Sequence, residues 1–383
     1  MSDLEQFRTE TRNWLEANCP PEMREPMRDD DDACWGGRNF TFKNPAQKQW
    51  LDVMAAKGWT VPDWPKAYGG AGLSSAETKI LRSEMARLGC RSPLMSFGIW
   101  MLGPALLKFG TEEQKVHYLG QIARGEIRWC QGYSEPGSGS DLVSLQTYGE
   151  DMGDHWNVNG QKIWTSYAGL ADTCFLLCRT SEERKGGISI LLVPMDTPGI
   201  TVRQIPSLIG EGDIHEVFFD DMLVPATALF GGEGQAWEII AYSLVNERLG
   251  IPRYSLARAA LDRAVSVLKD QGGWMGEAVK IEAAHAAALC EAARTASYAI
   301  VTKRAHGEQV GPESSSARFA TVMAERRVAE FVVEYLAEAL ADAHPYLKMH
   351  HQRGIVAGIA AGAAEIQLNI IGNDVLKLPR EPR

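Results

Sequence analysis

The sequence contains no uninterrupted apolar run that approaches the roughly 20 residues needed by a membrane-spanning helix. It also does not open with a basic segment followed by an apolar one, as a secretory signal would. Internal repeats and low-complexity tracts are missing as well. We therefore expect a cytoplasmic protein with no membrane association.

Basic residues are outnumbered by acidic ones. Lys and Arg total 39 against 49 Asp and Glu, which gives a formal net charge of −10. Repulsion from phosphates would oppose binding to a nucleic acid, so we expect no partner of that kind. The dense charge run at residues 28–32 is mainly acidic and is interpreted as a solvated loop.

Cysteine is present without the patterns that mark disulfide frameworks or metal sites. The seven cysteines are an odd number at irregular spacing, which is typical of reduced, mostly buried thiols. Cys174 and Cys178 lie in an apolar, strand-like run and have no matching Cys or His pair downstream. We therefore predict no metal site.

The hydrophobic pattern divides the chain into three parts. Apolar residues first recur at helical spacing, then in short runs separated by turn residues, and then again at helical spacing. This order predicts a mostly α, multidomain α+β protein, with an N-terminal helical domain at residues 1–126, a middle β domain at 127–232 and a C-terminal helical domain at 233–383. The predicted N-terminal helices are residues 2–16, 45–57, 74–88, 96–109 and 111–124, the last capped by Thr111.

The middle segment carries the signals of strands and turns. Asn159-Gly160 predicts a hairpin turn, and turns are also predicted at Gly186-Gly187 and Pro198-Gly199. The predicted strands are residues 173–179, 188–194, 200–205 and 215–219. The predicted C-terminal helices are residues 237–268, 277–306, 314–342 and 351–376.

Two polar segments stand out within the middle part. Residues 133–142 read Tyr-Ser-Glu-Pro-Gly-Ser-Gly-Ser-Asp-Leu, and residues 160–166 read Gly-Gln-Lys-Ile-Trp-Thr-Ser. The backbone N–H groups and hydroxyls of such a loop can hold a phosphate or a polar ring edge. The first segment alone would be interpreted as an ordinary turn, whereas the two together favour a ligand site.

The two segments resemble the flavin-binding loops of acyl-CoA dehydrogenases, and the order of the domains is similar to that family over essentially the whole chain. The resemblance implies a middle domain that is sandwich-like or barrel-like and a C-terminal four-helix bundle. It also implies FAD as cofactor and α,β-desaturation of an acyl-CoA thioester. Trp164 would stack on the flavin ring, or alternatively be a buried core residue, and Trp129 is expected in the core. The implied FAD-binding residues are Tyr133, Ser134, Gly139, Ser140, Trp164, Thr165 and Ser166.

The reaction needs a base, and the resemblance offers two places for it. Many members carry the base near the C terminus, just before a Gly that matches Gly362, but the residue there is Ala361, which cannot accept a proton. A minority carry it on the first long helix of the last domain, where Glu247 matches. We therefore predict Glu247 as the base, with Glu365 as the second candidate. On spacing alone Glu247 would be an ordinary helix residue.

The resemblance is less specific about the residues that contact the substrate. They are assigned to Ser140, Arg248 and Ala361, whose backbone N–H would donate to the thioester oxygen. Spacing does not decide whether Arg248 or Arg253 meets the CoA phosphates. The small residues at 360–364 permit a bulky acyl group such as a steroid side chain, but an alanine-rich stretch is equally typical of an ordinary helix. A short branched acyl group is the alternative substrate.

Departures from the family predict a partner. Homotetrameric members complete the FAD site with an Arg-x-x-Phe and a Gln-Gly turn from a neighbouring subunit. Residues 268–276 lack the first, and residues 337–345 lack the second. The chain thus resembles the base-bearing subunit of bacterial α2β2 steroid side-chain dehydrogenases, with an electron-transferring flavoprotein as acceptor. A non-catalytic partner subunit and a flavin oxidase or monooxygenase on the same scaffold are the alternatives.

Overall fold

The structure, a computed structural model, separates into two compact units, Met1–Ser243 and Leu244–Arg383. Among the helices that it describes, none combines the length and apolar character that a membrane crossing requires. The described residues are 3–25, 27, 30–208, 214–250, 253–306, 308, 310–337, 344–360 and 362–379, and the side chains of residues 30, 244–250, 275, 304 and 305 are outside this description.

The first unit begins with helices whose ends are set by local sequence. Thr111 accepts a hydrogen bond from the Gln114 N–H, and the Gln114 side chain bonds back to the cap. The helix predicted at 96–109 is confirmed from Phe97 to Phe109, with a π-helical turn at Gly98–Leu102 that continues directly into an α-helix. The α-helices are α1 Asp3–Asn18, α2 Pro45–Ala56, α3 Ser75–Leu88, α4 Gly103–Phe109 and α5 Glu112–Ala123.

Helices α1 and α3 are joined by a charge cluster. The buried Glu84 of α3 accepts hydrogen bonds from Arg8 and Arg12 of α1 and from Arg87. These bonds, the strongest of them from Arg12, hold the pKa of Glu84 at about 2. The carboxylate is therefore ionised at neutral pH and fixes the two helices against each other.

The same unit continues as a curled sheet, which was predicted as sandwich-like or barrel-like. Its seven strands in the described residues are β1 Trp129–Gly132, β2 Tyr148–Asp151, β3 His155–Ser166, β4 Thr173–Arg179, β5 Ile188–Pro194, β6 Ile200–Gln204 and β7 Ile214–Pro225. They run in the order β1-β4-β2-β3-β7-β6, with β5 paired to β4. Strand β1 is parallel to β4, with Cys130 opposite Cys174.

The hairpin turn predicted at Asn159-Gly160 is wrong. Both residues lie inside β3, which pairs with β2 on one side and β7 on the other, and the β7 pairing shifts register between Val158 and Gly160. Glycine is needed there for close approach, since an added Cβ would lie 2.5 Å from Thr147 Oγ1. The chain turns earlier, at Gly153, where φ is +97°.

The second unit is helical. Helices α7, α8, α9 and α10 pack on one another around an alanine-rich core. The helix predicted at 237–268 is helical in both stretches that the structure describes, Ala236–Gly250 and Arg253–Asp270, while residues 251–252 between them lie outside the described residues. The helices are α6 Ala236–Gly250, which begins in the first unit, α7 Arg253–Asp270, α8 Glu277–Ala305, α9 Glu313–Leu336, α10 Pro345–Ile355 and α11 Ala364–Ile370.

Together these elements confirm the predicted fold class, with helices before and after a β region. The helix predicted at 351–376 is wrong as a continuous element. Helix α10 starts earlier, at Pro345, and ends at Ile355. Helix α11 and a π-helical turn, Ile371–Val375, follow.

Candidate active site

The two polar segments singled out in the sequence are bonded together. The Ile163 N–H donates to the Ser134 carbonyl at 2.8 Å. The Lys162 ammonium donates to the Tyr133 carbonyl at 3.1 Å and to Glu135 Oε1 at 2.7 Å. The loop after β1 and the end of β3 therefore form one site.

Glu135 organises the loop at residues 133–142. Its N–H donates to the Ser138 carbonyl at 2.7 Å, and the Ser138 N–H returns a bond of 3.0 Å. Its carboxylate accepts the N–H groups of Gln146 and Thr147 at 2.5 and 2.9 Å. The loop is thus held by its own bonds before any ligand binds.

The loop leaves part of its backbone open. A Cβ added at Gly137 or Gly139 would meet no atom within 4 Å, and Gly139 and Ser140 are exposed. The lack of side chains lets a flat or anionic group approach the main-chain N–H groups directly. Gly137 was not among the predicted ligand residues, although it stands beside them in the motif.

A buried ion pair lies under the loop. Lys162 is 0% exposed and Glu135 is 7% exposed. Burial alone would raise the pKa of Glu135, but the charge of Lys162 and the surrounding hydrogen bonds outweigh burial and lower it. Burial lowers the pKa of Lys162, and Glu135 opposes that shift. The carboxylate is thus held ionised, with Lys162 as its charge partner.

The end of β3 has an unusual backbone. Trp164 and Tyr167 have φ values of +60° and +58°, in the left-handed region that residues other than Gly rarely adopt. The pairing of β3 with β7 shifts register between Lys162 and Thr165. Trp164 is 57% exposed as a result, so its interpretation as a core residue is wrong, while Trp129 is buried as predicted.

Thr165 presents a polar atom without a partner. The residue is 1% exposed, and its Oγ1 makes no hydrogen bond to any residue that the structure describes. Its carbonyl lies 3.4 Å from Nδ1 of His215, whose pKa is lowered by burial. An unpaired buried hydroxyl is costly, so this position suits a polar atom of a ligand. This fits the edge of a flavin ring.

An aromatic cluster supports Tyr167. We define it as Trp35, Phe97, Trp100 and Tyr167, all of them partly exposed. The rings of Trp35 and Tyr167 are 4.8 Å apart, and the guanidinium of Arg128 lies 4.7 Å from the Tyr167 ring. Sequence reasoning missed this cluster, because its members come from distant segments that share no pattern.

The remaining predicted residues divide between the two units. Tyr133 and Ser134 are half-buried, as is Ser166. Glu247 and Arg248 belong to α6, but their side chains lie outside the described residues, and so does all of Ala361. Glu365 is exposed in the first turn of α11. The structure brings the first-unit residues together and leaves the base as a prediction.

No group of three or more His, Cys, Asp or Glu side chains in the described part of the chain could hold a metal ion. The polar groups of this site are instead main-chain amides, hydroxyls and one ion pair. Such groups suit an organic ligand with phosphates and ring nitrogens.

Several known proteins are similar to this chain. It is 32% identical over 400 residues to acyl-CoA dehydrogenase IpdE1 of Mycobacterium tuberculosis, covering 100% of both chains. It is 28% identical over 337 residues to the mitochondrial short-chain specific acyl-CoA dehydrogenase of Homo sapiens, covering 85% of this chain and 81% of the relative.

Two solved structures extend the similarity to the fold. One is described as the Tcur3481-Tcur3483 steroid ACAD, with a TM-score of 0.80, 27% identity, and coverage of 100% of this chain and 99% of the other. The other is the ChsE4-ChsE5 complex from Mycobacterium tuberculosis, with a TM-score of 0.79, 26% identity, and coverage of 99% and 98%.

The family profiles match nearly the whole sequence. The N-terminal domain of acyl-CoA dehydrogenase matches residues 1–126, the middle domain residues 130–222 and the C-terminal domain residues 234–376. The matched middle domain contains both polar segments and the ion pair that joins them. This chain therefore belongs to the acyl-CoA dehydrogenase family.

Proposed function

We propose that this chain is an FAD-dependent acyl-CoA dehydrogenase subunit that introduces a double bond between the α and β carbons of an acyl-CoA thioester. The observation that carries the proposal is the pair of bonded loops, with an open glycine backbone at one end and the unpartnered Thr165 hydroxyl at the other. A site of this kind suits a long ligand with a phosphate portion and a polar ring.

The residues around the bonded loops suit FAD. The open backbone at Gly137 and Gly139, with Ser140, would take the pyrophosphate, and the exposed Trp164 ring would stack on the isoalloxazine. Thr165 and Ser166 would bond to the ring edge. When bound, FAD supplies the acceptor for the hydride that leaves the β carbon.

Glu247 is the base in this proposal. Removing an α-proton requires a carboxylate whose pKa is raised by an apolar surrounding, and the methyl side chain of Ala361 cannot do this. Glu365 is exposed to solvent in the first turn of α11, without the apolar surrounding that a base of this kind needs. The backbone N–H of Ala361 would polarise the thioester carbonyl, and Arg248 is assigned to the CoA portion.

A bulky polycyclic acyl group is the proposed substrate. Support comes from a relative described as a steroid ACAD and from the small residues at 360–364. The partly exposed rings of the aromatic cluster add flat apolar surface. Flat rings of this kind complement a fused-ring substrate.

A homologous second subunit is proposed to complete the site in an α2β2 assembly. Residues 268–276 and 337–345 lack the groups that would bind a neighbour's FAD, and a pyrophosphate without a cationic partner is unfavourable. The solved ChsE4-ChsE5 complex shows that a relative of this chain occurs with another chain. An electron-transferring flavoprotein is the proposed acceptor.

Co-expression with a homologous neighbouring gene tests the partner. We expect the lone chain to purify flavin-poor and the complex to purify with near-stoichiometric FAD, as measured by absorbance after denaturation. A flavin-saturated homo-oligomer of the lone chain would contradict the pairing.

The reaction is tested on the same complex with a panel of acyl-CoA thioesters. We expect flavin bleaching to be fastest with a polycyclic acyl group and slower with short branched and straight-chain groups. Fastest bleaching with a short acyl group would contradict the substrate class. Rapid peroxide formation without an added acceptor would favour the oxidase or monooxygenase alternative.

Trp164→Ala separates ligand stacking from folding. Because the side chain is exposed, we expect the free energy of unfolding of the apoprotein to change by no more than about 0.5 kcal/mol. Loss of a stacked ring should weaken FAD binding in the complex by up to about tenfold. Trp129→Ala is the control, since this buried residue should cost about 3–5 kcal/mol on unfolding. If both variants unfold alike, the stacking role is wrong.

A further inference from the structure

A short turn between α10 and α11 contains position 361, to which the proposed function assigns the N–H that bonds to the thioester oxygen. The structure describes this turn at residues 356–360 and 362–363, and Ala361 itself lies outside the described residues. The exposed residues of the turn are Ile359, Ala360 and Gly362. The turn therefore has an outer face that solvent can reach in this unit.

Two arginines of α9 hold the turn by its carbonyl groups. Arg318 donates a hydrogen bond from a terminal nitrogen to the Ala360 carbonyl at 3.1 Å. Arg326 donates from Nε to the Ala357 carbonyl at 3.0 Å. Because Arg318 is only 6% exposed, it bonds to Ala360 from inside the unit. A hydrogen bond from a charged donor is strong in such surroundings.

A buried carboxylate faces Arg318. Glu325 is 7% exposed, and its Oε2 lies 3.8 Å from a terminal nitrogen of Arg318. Its Oε1 lies 3.9 Å from Arg253, the first residue of α7. Burial raises the pKa of Glu325, and the charges of three nearby arginines oppose this rise. Arg318 thus bonds to the turn on one side and faces a carboxylate on the other, which restricts the position of its guanidinium.

The contact with the Ala360 carbonyl matters because a peptide unit is rigid. In a trans peptide unit the carbonyl and the N–H of the next residue lie in one plane and point in opposite directions. A donor that holds such a carbonyl from inside a unit therefore directs the next N–H outward. Hydrogen bonding to the carbonyl also polarises the amide, so its N–H becomes a better donor.

We propose that Arg318 is a positioning residue that fixes the peptide unit between Ala360 and position 361, so that its N–H faces the thioester oxygen of the acyl-CoA. The inference rests on the proposed function, because it explains how the donor assigned to position 361 is held. Arg318 acts through the peptide unit without touching the substrate. Glu325 in turn holds the guanidinium.

Infrared spectroscopy of a bound thioester tests the inference without turnover. Acetyl-CoA labelled with ¹³C at its thioester carbonyl has no β carbon, so it cannot be desaturated. In the co-purified wild-type complex we expect the labelled carbonyl band to move to lower wavenumber on binding, because a hydrogen bond to the oxygen weakens the C=O bond. In Arg318→Met most of that shift should be lost.

Flavin reduction by a reactive acyl-CoA is the second measurement. Single-turnover bleaching of Arg318→Met should be about 10- to 100-fold slower than that of the wild type, which is a typical loss when an active-site group is misplaced. The dissociation constant of the acyl-CoA should stay near that of the wild type, because the bond strengthens only as charge develops on the oxygen. Arg318→Lys keeps the charge and should recover part of the band shift and of the rate.

Arg326→Met is the matched control. It removes the same kind of bond from the same turn, at a peptide unit that does not include position 361. We expect it to keep the wild-type band shift and rate. The double variant Arg318→Met/Glu325→Gln removes both buried charges and should show the same losses as Arg318→Met, so the test does not depend on how well the single variant folds.

The inference is overturned if Arg318→Met or the double variant shows the wild-type band shift and rate. It is also overturned if Arg326→Met loses as much as Arg318→Met. A wild-type complex that bleaches with no acyl-CoA would contradict the proposed function, whereas loss of the band shift in Arg318→Met alone would still support the positioning role.

Discussion

Replacing Glu247 by Gln is expected to slow flavin reduction by the acyl-CoA substrate by about 10²- to 10⁴-fold, which is the usual contribution of a general base. The amide keeps the size and helix preference of the carboxylate but cannot accept the α-proton. FAD content and substrate binding should therefore stay near those of the wild type, and the loss should appear in the rate of bleaching.

The measurement is stopped-flow absorbance of the co-purified complex under single-turnover conditions. Glu365→Gln is the matched control, because it makes the same chemical change at an exposed carboxylate, four residues after Ala361 in the sequence. We expect the control to bleach at close to the wild-type rate. If only Glu365→Gln is slow, the base has been assigned to the wrong helix. If neither variant is slow, the chain is a non-catalytic partner.

Lys162→Met is expected to lower the free energy of unfolding of the first unit by about 3–5 kcal/mol, because it leaves a buried carboxylate without its charge partner. The variant also loses the hydrogen bonds from Lys162 to Tyr133 and Glu135 that join the two loops. Bound FAD should therefore be lost together with stability. Denaturant unfolding and FAD content measure the two effects.

The loss of stability in Lys162→Met should depend on pH in a direction that can be predicted. Without Lys162, burial raises the pKa of Glu135 in the folded state above its unfolded value. The deficit in stability is then largest where the unfolded carboxylate is ionised and shrinks as the pH falls and Glu135 takes up a proton. Unfolding across the acidic range should show the curves of variant and wild type converging.

Two further variants test whether the loss of stability in Lys162→Met comes from leaving a buried charge unpaired. Lys48 pairs with Asp52 at 2.6 Å on the surface, so Lys48→Met should cost no more than about 1 kcal/mol. The double variant Glu135→Gln/Lys162→Met removes both buried charges and should regain part of the loss. A deficit in Lys162→Met no larger than that of Lys48→Met would show that the buried pair does not hold the loop.

The sequence predicted those parts of the fold that depend on local chemistry. Thr111 and Gln114 form a reciprocal cap that can be identified from residue types alone, and the helix begins where predicted. The apolar run at Thr173–Arg179 is a strand that is buried as far as Cys178 and has neighbours on both sides. The polar loops were found because their residues and spacing resemble a known family.

Most of the predictions that were wrong or missing depend on contacts between residues that are far apart in the sequence. Asn159-Gly160 has the composition of a turn, but pairing with two strands at once overrides that local preference. The burial of Lys162 could not be predicted, since its partner Glu135 lies in a separate loop. Glu247 and Ala361 stay predictions, because their side chains lie outside the described residues.

Gly160 links the shape of the loop at residues 133–142 to a residue of β3 outside that loop. The N–H of Thr147 donates to Glu135 at 2.9 Å, and Thr147 is also the residue that any side chain at position 160 would collide with. A single methyl group there would push Thr147 aside and disturb the carboxylate that shapes the loop. Variants that weaken retention of the proposed cofactor should therefore be sought at Gly160 of β3 as well as in the loop at residues 133–142.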